Sequence, residues 1–468
     1  MPNEIIKYKD IKMTKMSIFR AYDIRGVYGR DLNKEISEKI GKAFGTYIGE
    51  KEIVVGMDSR LSSPELKESL INGIVSTGCD VIDIGMVPTP VLYFSVYHYN
   101  MDGGIMITGS HNPPEYNGFK LMKGKETLYG HEIQRIREII ESEEFNSGTG
   151  SVKKQEVVDE YINFLRERIN LRKKLRVVID AGNGTAGPIA LKLFKNLGCD
   201  VIPLYCEPDG NFPNHHPDPT VDKFLEDLIE KVKEEDADIG IAYDGDADRV
   251  GFIDDSGNII RGDEALILFS REILSREKKV KIILEVKCSQ ALVEDIKRNG
   301  GIPIMYRTGH SFIKKKMREE NAILAGEMSG HFFFSDNYYG YDDAIFASAR
   351  MLQIISNSDR RLSEIIKEIP KYFSTPEIRV PCPEERKFEI VDEIRRKFEK
   401  KFDVIDVDGA RIQFDDGWGL VRASNTEPAI ILRFEGKTKL RMNEIKELIL
   451  RELRKYPEIS KSLETMQF

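Results

Sequence analysis

The sequence predicts an α/β fold in which three related βαβ domains with mixed sheets and a C-terminal α+β domain surround a central cleft. Three times along the chain, a short apolar run is followed by a helix-like segment and a second apolar run. Strand, helix and strand in this order are typical of a parallel sheet. From about Tyr372 the pattern changes to short apolar runs, turns and a charged final segment, which indicates α+β structure.

The order of elements is the same in all three copies, which favours duplication over chance. First strands are predicted at 53–58, 177–182 and 282–287, and second strands at 80–85, 200–205 and 302–307. A third apolar run then ends in a polar loop, within 103–120, 239–249 and 322–331. Parallel α/β sheets bind ligands at the carboxyl ends of their strands, so we expect these loops to face the cleft. The predicted domains are residues 1–155, 156–255, 256–371 and 372–468.

The composition excludes some functions. A net charge of −8 argues against a general nucleic-acid binder. The five cysteines are scattered and form no CxxC pair, which indicates reduced thiols in a cytoplasmic protein. No apolar run approaches the roughly 20 residues of a membrane-spanning helix. We therefore expect a cytoplasmic protein, a monomer or weak homo-oligomer, that acts on small molecules and binds neither nucleic acid nor membrane.

Three aspartates follow the apolar run that closes the second copy: Asp244, Asp246 and Asp248. On an extended backbone, alternate positions project to one side, where three carboxylates would repel one another. A divalent hard cation with oxygen ligands relieves that repulsion. An EF-hand calcium loop is disfavoured, because Arg249 and Asp255 stand where glycine and glutamate are required. The pattern favours a magnesium site that serves phosphate chemistry.

The polar loop of the first copy begins with Thr108 and contains Ser110, His111 and, after a short interval, Lys120. A hydroxyl, a nearby base and a cation suit a nucleophile or a phosphoryl carrier. The same composition is also that of a plain turn. The loop is not a phosphate-binding Walker motif, since Ser110 stands where lysine is required.

Six motifs together resemble those of the α-D-phosphohexomutases, and most closely the phosphomannomutase/phosphoglucomutase group. They are FRAYDIRG (19–26), TGSHNPPEYNGFK (108–120), DGDADR (244–249), TGHSFIKKKM (308–317), GEMSGH (326–331) and RASNTEP (422–428). The resemblance implies that Ser110 carries a phosphoryl group. It also implies that magnesium is held by Asp244, Asp246, Asp248 and the phosphate on Ser110.

The resemblance extends to further catalytic and binding residues. Arg25, Lys120 and Arg249 would stabilise the transferring group, with His111 beside the serine. Glu327 and Ser329 would bind sugar hydroxyls, and the loop from Arg422 would bind the phosphate that is not transferred. The substrate-binding residues implied in this way are Tyr22, Lys287, His310, Glu327, Ser329, His331, Arg422, Ser424, Asn425 and Thr426.

The implied activity is the interconversion of hexose 6-phosphate and hexose 1-phosphate through a phosphoserine and a bisphosphorylated sugar. Mg²⁺ would be the cofactor and hexose 1,6-bisphosphate the activator, with sugar phosphates as the only partners. Lys120, His310 and His331 are the candidates for general acid and base. A phosphoglucosamine mutase is disfavoured by Met328 and by the RASN sequence. The motifs also fit a magnesium-dependent sugar phosphatase or a sugar-phosphate-binding protein without activity, and the choice between mannose and glucose stays open.

Overall fold

The computed structural model describes residues 18–49, 51–424 and 427–465. The chain divides into two compact units. Unit 1 consists of Met1–Phe269 and Ser329–Ile366, and unit 2 consists of Ser270–Met328 and Lys367–Phe468.

The first sheet of unit 1 is mixed. Its strands, in spatial order, are Ile24–Val27, Tyr116–Lys123, Gly103–Ile107, Glu52–Met57, Asp80–Met86 and Val152–Lys154, and Glu126–Thr127 pairs with Tyr116–Lys123. The last four of the ordered strands are parallel, and the first two are antiparallel to their neighbours. The helices of this region are Lys34–Ile48, Ser63–Val75, Thr89–His98 and His131–Ser142.

The second sheet of unit 1 repeats this plan. Its strands, in spatial order, are Ile259–Ile260, Val250–Asp254, Ile239–Tyr243, Arg176–Asp180 and Asp200–Leu204. The last three are parallel, and Val250–Asp254 runs antiparallel to Ile239–Tyr243. The accompanying helices are Val158–Arg166, Ala186–Asn196 and Glu226–Glu234, with a 3₁₀ turn at Asp222–Leu225.

In both sheets the third parallel strand turns directly into an antiparallel strand. The polar loops predicted from the sequence are the connections of these two hairpins. Each loop has a residue other than glycine in the left-handed region, Ser110 with φ of 49° and Ala247 with φ of 56°. Such residues are uncommon and mark tight, over-determined backbone, which is a frequent property of functional loops.

Unit 1 is completed by the strand Phe332–Phe334 and the helices Ala344–Ser356 and Leu362–Ile366, and the helix Gly262–Arg276 has residues in both units. Unit 2 begins with three parallel strands in the spatial order Ile302–Tyr306, Lys281–Glu285 and Leu324–Gly326. Its first helices are Gln290–Arg298 and His310–Glu320.

The C-terminal part of unit 2 is an antiparallel sheet with helices. The strands are Phe373–Ser374, Ile378–Pro381, Val404–Ile405, Ala410–Phe414, Gly417–Ala423 and Ala429–Gly436, and the helices are Lys387–Phe398, Lys439–Leu453 and Pro457–Thr465. Its apolar core includes Ile390, Val421, Leu432 and Ile449. The predicted α/β fold, with three βαβ copies and a final α+β region, is confirmed, and each predicted βαβ strand lies within two residues of an observed one.

No helix among the described residues is long and apolar enough to cross a membrane. None of the five cysteines, all of which lie in the described ranges, is in a disulfide.

Asp343 links separate elements of unit 1 by hydrogen bonds. Its carboxylate accepts from the hydroxyls of Tyr161 and Tyr338 and from the amide of Phe346, at the start of the helix Ala344–Ser356. Burial raises the pKa of Asp343 from 3.8 to about 6, although these donors oppose the shift. Because the pKa of the folded state is the higher one, protonation of Asp343 favours folding. Its stabilising effect is complete below about pH 3.8 and is lost as the pH rises through about 6.

The variant Asp343→Asn should therefore become more stable relative to wild type as the pH rises through this interval, by on the order of 2 kcal/mol. Melting temperatures of both proteins from about pH 4 to about pH 7 measure this difference. Asp359→Asn, at an exposed position, is the control and should follow the wild-type curve. Parallel curves for Asp343→Asn and wild type would show that the buried carboxyl does not titrate in this interval.

Candidate active site

The three aspartates converge in a buried turn of unit 1. Asp244, Asp246 and Asp248 are at most 1% exposed, and one carboxylate oxygen from each lies within 4.8 Å of the others. The convergence does not come from an extended backbone, as the alternate spacing suggested. The residues follow the strand Ile239–Tyr243 in a tight turn, in which the amide of Ala247 donates to the carbonyl of Asp244 at 3.2 Å.

Three helices begin at this turn. The backbone amides of Thr185, Thr89 and Ala344 donate to the consecutive carbonyls of Gly245, Asp246 and Ala247, at 3.1, 2.8 and 3.3 Å. These donors open or directly precede the helices Ala186–Asn196, Thr89–His98 and Ala344–Ser356. A helix N-terminus carries partial positive charge, so three of them moderate the negative potential of the aspartates. They also fix the turn to elements far apart in the sequence.

Lys120 is a buried cation in direct contact with two of the aspartates. Its Nζ donates to Asp246 Oδ2 at 2.6 Å and also to Asp248 Oδ2. Burial alone would lower the pKa of Lys120, but the aspartates outweigh it and raise the pKa above the ordinary value for lysine. For Asp248 the directions are reversed: burial would raise the pKa of the carboxyl, but the charges of Lys120 and His331 lower it. Burial and the charges of Asp248 and Asp246 raise the pKa of Asp244 well above its ordinary range. One lysine therefore does not neutralise the group.

Two carboxylate oxygens in this group are suited to a metal. Asp246 Oδ1 and Asp248 Oδ1 are buried, and no hydrogen-bond donor among the described residues reaches either of them. A buried anionic oxygen without a partner is costly, and a hard divalent cation satisfies it. The donor set, all carboxylate oxygens, fits Mg²⁺ or Ca²⁺ better than a softer metal.

Ser110 lies against the aspartates. Its Oγ donates to Asp244 Oδ2 at 2.8 Å and lies 3.1 Å from His111 Nδ1. The side chain is 2% exposed, so the hydroxyl meets the acidic group across the two hairpin loops rather than bulk water. Loss of solvent around the ring, together with the charges of Arg249 and Arg25, lowers the pKa of His111 well below its ordinary value. His111 is therefore a neutral neighbour of the serine at neutral pH.

Two predicted arginines reach this group, Arg25 from the strand Ile24–Val27 and Arg249 from the second hairpin loop. Arg25 donates to Asn112 Oδ1 and to Asp23 Oδ2, both at 2.5 Å, and thus contacts the serine loop. Arg249 Nε donates to His331 Nε2 at 3.0 Å, which leaves the ring proton of His331 on Nδ1. That nitrogen lies 3.2 Å from Asp342 Oδ2. The half-buried Tyr22 lies just before the strand that carries Arg25, and the half-buried Ser329 lies in the loop that carries His331.

The serine loop is held by a buried ion pair that was not predicted from the sequence. Arg60, paired with Asp58, donates to the carbonyls of Ser110, Asn112, Pro113 and Tyr116. Asp58 in turn accepts the amide of Gly109 at 3.0 Å. A Cβ at position 109 would lie 2.4 Å from Arg60 Nε, so this position requires glycine. The signal for this ion pair in the sequence is an acidic residue at the carboxyl end of the first strand.

The predicted sugar-binding residues of unit 2 lie around Glu285, which was also not predicted. Glu285 accepts from Thr308 Oγ1 at 2.6 Å and from the amide of Met328 at 2.7 Å. Glu327 accepts the amide of Gly309 at 2.6 Å, and His310 Nδ1 lies 3.2 Å from Lys314 Nζ.

Lys287 lies between Glu285 and Glu377, at 3.6 and 3.1 Å. Burial would lower the pKa of Lys287, but these two carboxylates outweigh it and raise the pKa. The lysine is therefore held as a cation within unit 2.

The predicted phosphate loop follows the strand Gly417–Ala423 of unit 2. Arg422 Nη2 lies 3.0 Å from Asp408 Oδ2, and Ser424 Oγ accepts the amide of Glu427 at 3.1 Å. Arg433 donates to the carbonyl of Lys287 at 2.8 Å. Asn425 and Thr426, predicted to bind the same phosphate, lie outside the described residues.

The four regions of the chain each match a family of known domains, and the four families belong together. The matches are phosphoglucomutase/phosphomannomutase alpha/beta/alpha domain I at residues 16–147, domain II at 159–257, domain III at 261–373 and the C-terminal domain at 377–452. The chain belongs to the phosphoglucomutase/phosphomannomutase family. It is thereby an enzyme of the intramolecular phosphotransferase class, as the motifs implied.

Similar members of this family include bacterial enzymes. The chain is 48% identical over 442 residues to the phosphomannomutase/phosphoglucomutase of Pseudomonas aeruginosa, covering 94% of this chain and 96% of that protein. It is 45% identical to a phosphoglucomutase of Neisseria meningitidis, covering 92% and 95%. A crystal structure of a phosphoglucomutase/phosphomannomutase family protein from Burkholderia thailandensis superposes with a TM-score of 0.89 at 43% identity, covering 94% of this chain and 97% of that one.

The Arg60 contacts predict how this phosphohexomutase responds when they are weakened. Arg60→Lys keeps the charge but cannot satisfy four carbonyls and Asp58 at once. The serine should move, and kcat should fall by about 100-fold with little change in KM. Arg350→Lys is the matched control, because Arg350 is a buried arginine paired with Asp336 in the same unit. Steady-state kinetics and melting temperatures of both variants distinguish a displaced serine loop from general destabilisation. A wild-type kcat in folded Arg60→Lys would contradict the role of Arg60 in positioning the serine.

Proposed function

We propose that the enzyme interconverts hexose 6-phosphate and hexose 1-phosphate, with mannose, glucose or both as the sugar. Ser110 carries the phosphoryl group between the two positions. The observation that supports this most directly is the contact of Ser110 Oγ with Asp244 beside two buried carboxylate oxygens that accept no hydrogen bond from the described residues. That arrangement joins a hydroxyl nucleophile to a site for a divalent cation. The names of the similar enzymes from Pseudomonas and Neisseria support the two sugars.

Phosphoryl transfer requires that charge be neutralised and that the reacting oxygens be held in line. When bound by Asp244, Asp246 and Asp248, Mg²⁺ would supply Lewis-acid neutralisation of the phosphoryl charge. Lys120 and Arg25 add fixed positive charge at the serine loop. The neutral His111, whose Nδ1 lies 3.1 Å from Ser110 Oγ, adds no charge at the serine.

Transfer to the substrate breaks the bond between phosphorus and Ser110 Oγ, which takes up a proton as it leaves, and forms a bond between phosphorus and the oxygen of the free sugar hydroxyl. The proton of that hydroxyl passes to a base. His331 is a candidate for this role once its Nε2 lone pair, which accepts from Arg249 Nε, is released from that contact; its Nδ1 lies 3.2 Å from Asp342 Oδ2, which would stabilise the charged ring. The bisphosphorylated sugar then turns over, and its other phosphate returns to Ser110. A free hexose 1,6-bisphosphate would recharge a dephosphorylated enzyme in the same way.

The residues of unit 2 suit recognition of the sugar phosphate. Glu327 and Lys287 offer an acceptor and a donor to sugar hydroxyls, with His310 beside them. In the sequence, Arg422, Ser424, Asn425 and Thr426 supply donors for the phosphate that is not transferred, and Arg433 adds a cation. Reduced cysteines and small-molecule substrates support a cytoplasmic enzyme.

The variant Ser110→Ala should lose turnover of glucose 1-phosphate and mannose 1-phosphate by at least about 10³-fold, because the phosphoryl carrier is absent. A coupled assay for the 6-phosphate measures this, and mass spectrometry should find a phosphate on Ser110 of the wild type. Ser95→Ala, which removes a buried hydroxyl bonded within its own helix, is the control. Wild-type turnover by Ser110→Ala would refute the mechanism, and stoichiometric release of inorganic phosphate would indicate a phosphatase.

Removal of the metal gives a separate test. Chelation should abolish turnover, and Mg²⁺ should restore it better than Ca²⁺, whose larger shell demands more oxygen ligands. Asp244→Asn should lower turnover by about 100-fold or more without lowering the melting temperature in chelator, since it removes a repelled charge. Asp359→Asn again serves as the exposed control. Full activity in chelator would contradict a metal-dependent reaction.

A further inference from the structure

Thr89 contacts Asp246, in the turn that carries the three aspartates, although the two residues are 157 positions apart in the sequence. It is the first residue of the helix Thr89–His98 and is completely buried. Its amide donates to the carbonyl of Asp246 at 2.8 Å, and its Oγ1 donates to Asp246 Oδ2 at 2.5 Å. One threonine thus donates to Asp246 twice, from its amide to the carbonyl oxygen and from its hydroxyl to Oδ2.

The contact with Thr89 determines which carboxylate oxygen of Asp246 is available to a metal. A carboxylate can rotate about its Cβ–Cγ bond and exchange its two oxygens. Because Thr89 and Lys120 both donate to Oδ2, that oxygen is occupied and Oδ1 is left buried without a donor. Hydrogen bonds to the second oxygen of a ligating carboxylate orient the first one.

Lys120 and Thr89 differ as donors. The Lys120 ammonium is shared between Asp246 and Asp248, and a phosphate on Ser110 would compete for it. The hydroxyl of Thr89 is neutral and belongs to a residue fixed at the start of a helix. It is therefore the donor whose position does not depend on the charge state of the serine.

We infer that Thr89 is a positioning residue that holds Asp246 Oδ2 and directs Oδ1 to the metal. This rests on the proposed function, since it assumes that Asp246 binds the divalent cation. The role belongs to the hydroxyl, so serine should preserve it and valine should not. Thr89 touches neither substrate nor the reacting atoms in this scheme, and its effect should appear first in metal affinity.

The test is Mn²⁺ binding to the full-length protein after removal of metal with chelator, followed by electron paramagnetic resonance without substrate. Thr89→Val, which keeps the shape and removes the hydroxyl, should weaken Mn²⁺ binding by about 10-fold or more. Thr89→Ser should bind close to wild type. Thr77→Val is the matched control, because this buried threonine donates to the carbonyl of Ile74 and to no metal ligand. If Thr89→Val does not fold, Thr89→Ala is compared with Thr89→Ser instead, as the two differ only in the hydroxyl.

Asp246→Asn separates failure of this inference from failure of the proposed site. If Asp246→Asn loses Mn²⁺ while folded Thr89→Val binds it as wild type does, the role of Thr89 is wrong and the metal site stands. Equal weakening in Thr89→Ser and Thr89→Val would also overturn the inference, since the hydroxyl would not be the cause. If Asp246→Asn binds as tightly as wild type, Asp246 is no ligand and both ideas fail.

Discussion

The contacts at the centre of unit 1 have to offset the mutual repulsion of three buried carboxylates. Asp244, Asp246 and Asp248 lie within 4.8 Å of one another through single oxygens, in a turn that excludes water. Left uncompensated, such a group would open or take up protons, because burial disfavours each charge and the neighbours add to the cost. The surrounding contacts compensate it in part, through the ammonium of Lys120 and three helix N-termini that donate to the turn. The negative charge that these contacts leave uncompensated gives the group its capacity to bind a cation.

The two hairpin loops show how duplication serves this chemistry. In each sheet of unit 1, the third parallel strand turns back into an antiparallel one, and the turn requires a left-handed residue, Ser110 or Ala247. The same topological position thus supplies the hydroxyl in one copy and the carboxylates in the other. Since Ser110 Oγ and Asp244 Oδ2 meet at 2.8 Å, neither copy holds the centre by itself.

The sequence predicted the elements and the loops, because apolar periodicity and strand-end chemistry are local properties. It did not predict what holds the loops in place, since those contacts join distant segments, as from Arg60 to Ser110 or from Thr89 to Asp246. The alternate spacing of the aspartates also suggested an extended backbone, whereas the carboxylates are brought together by a turn. A local signal was nevertheless present. The first strand of a copy ends in an acidic residue, and Asp58 and Glu285 each accept an amide of the loop after the third strand.

Charge balance explains why that arrangement suits a divalent ion rather than a second lysine. With all three carboxylates ionised, the aspartates contribute three negative charges and Lys120 one positive charge, which leaves two to be neutralised. The raised pKa of Asp244 shows that the group retains an affinity for positive charge even beside Lys120. A dianionic phosphate on Ser110 would then add two negative charges to a centre that Mg²⁺ has already made neutral. Two arginines of unit 1 could offset them: Arg25, which is bonded to the serine loop, and Arg249, which is bonded to His331. Charge that arrives with the phosphoryl group would thus be matched by side chains already fixed in place, which is the condition for rapid transfer without rearrangement of solvent.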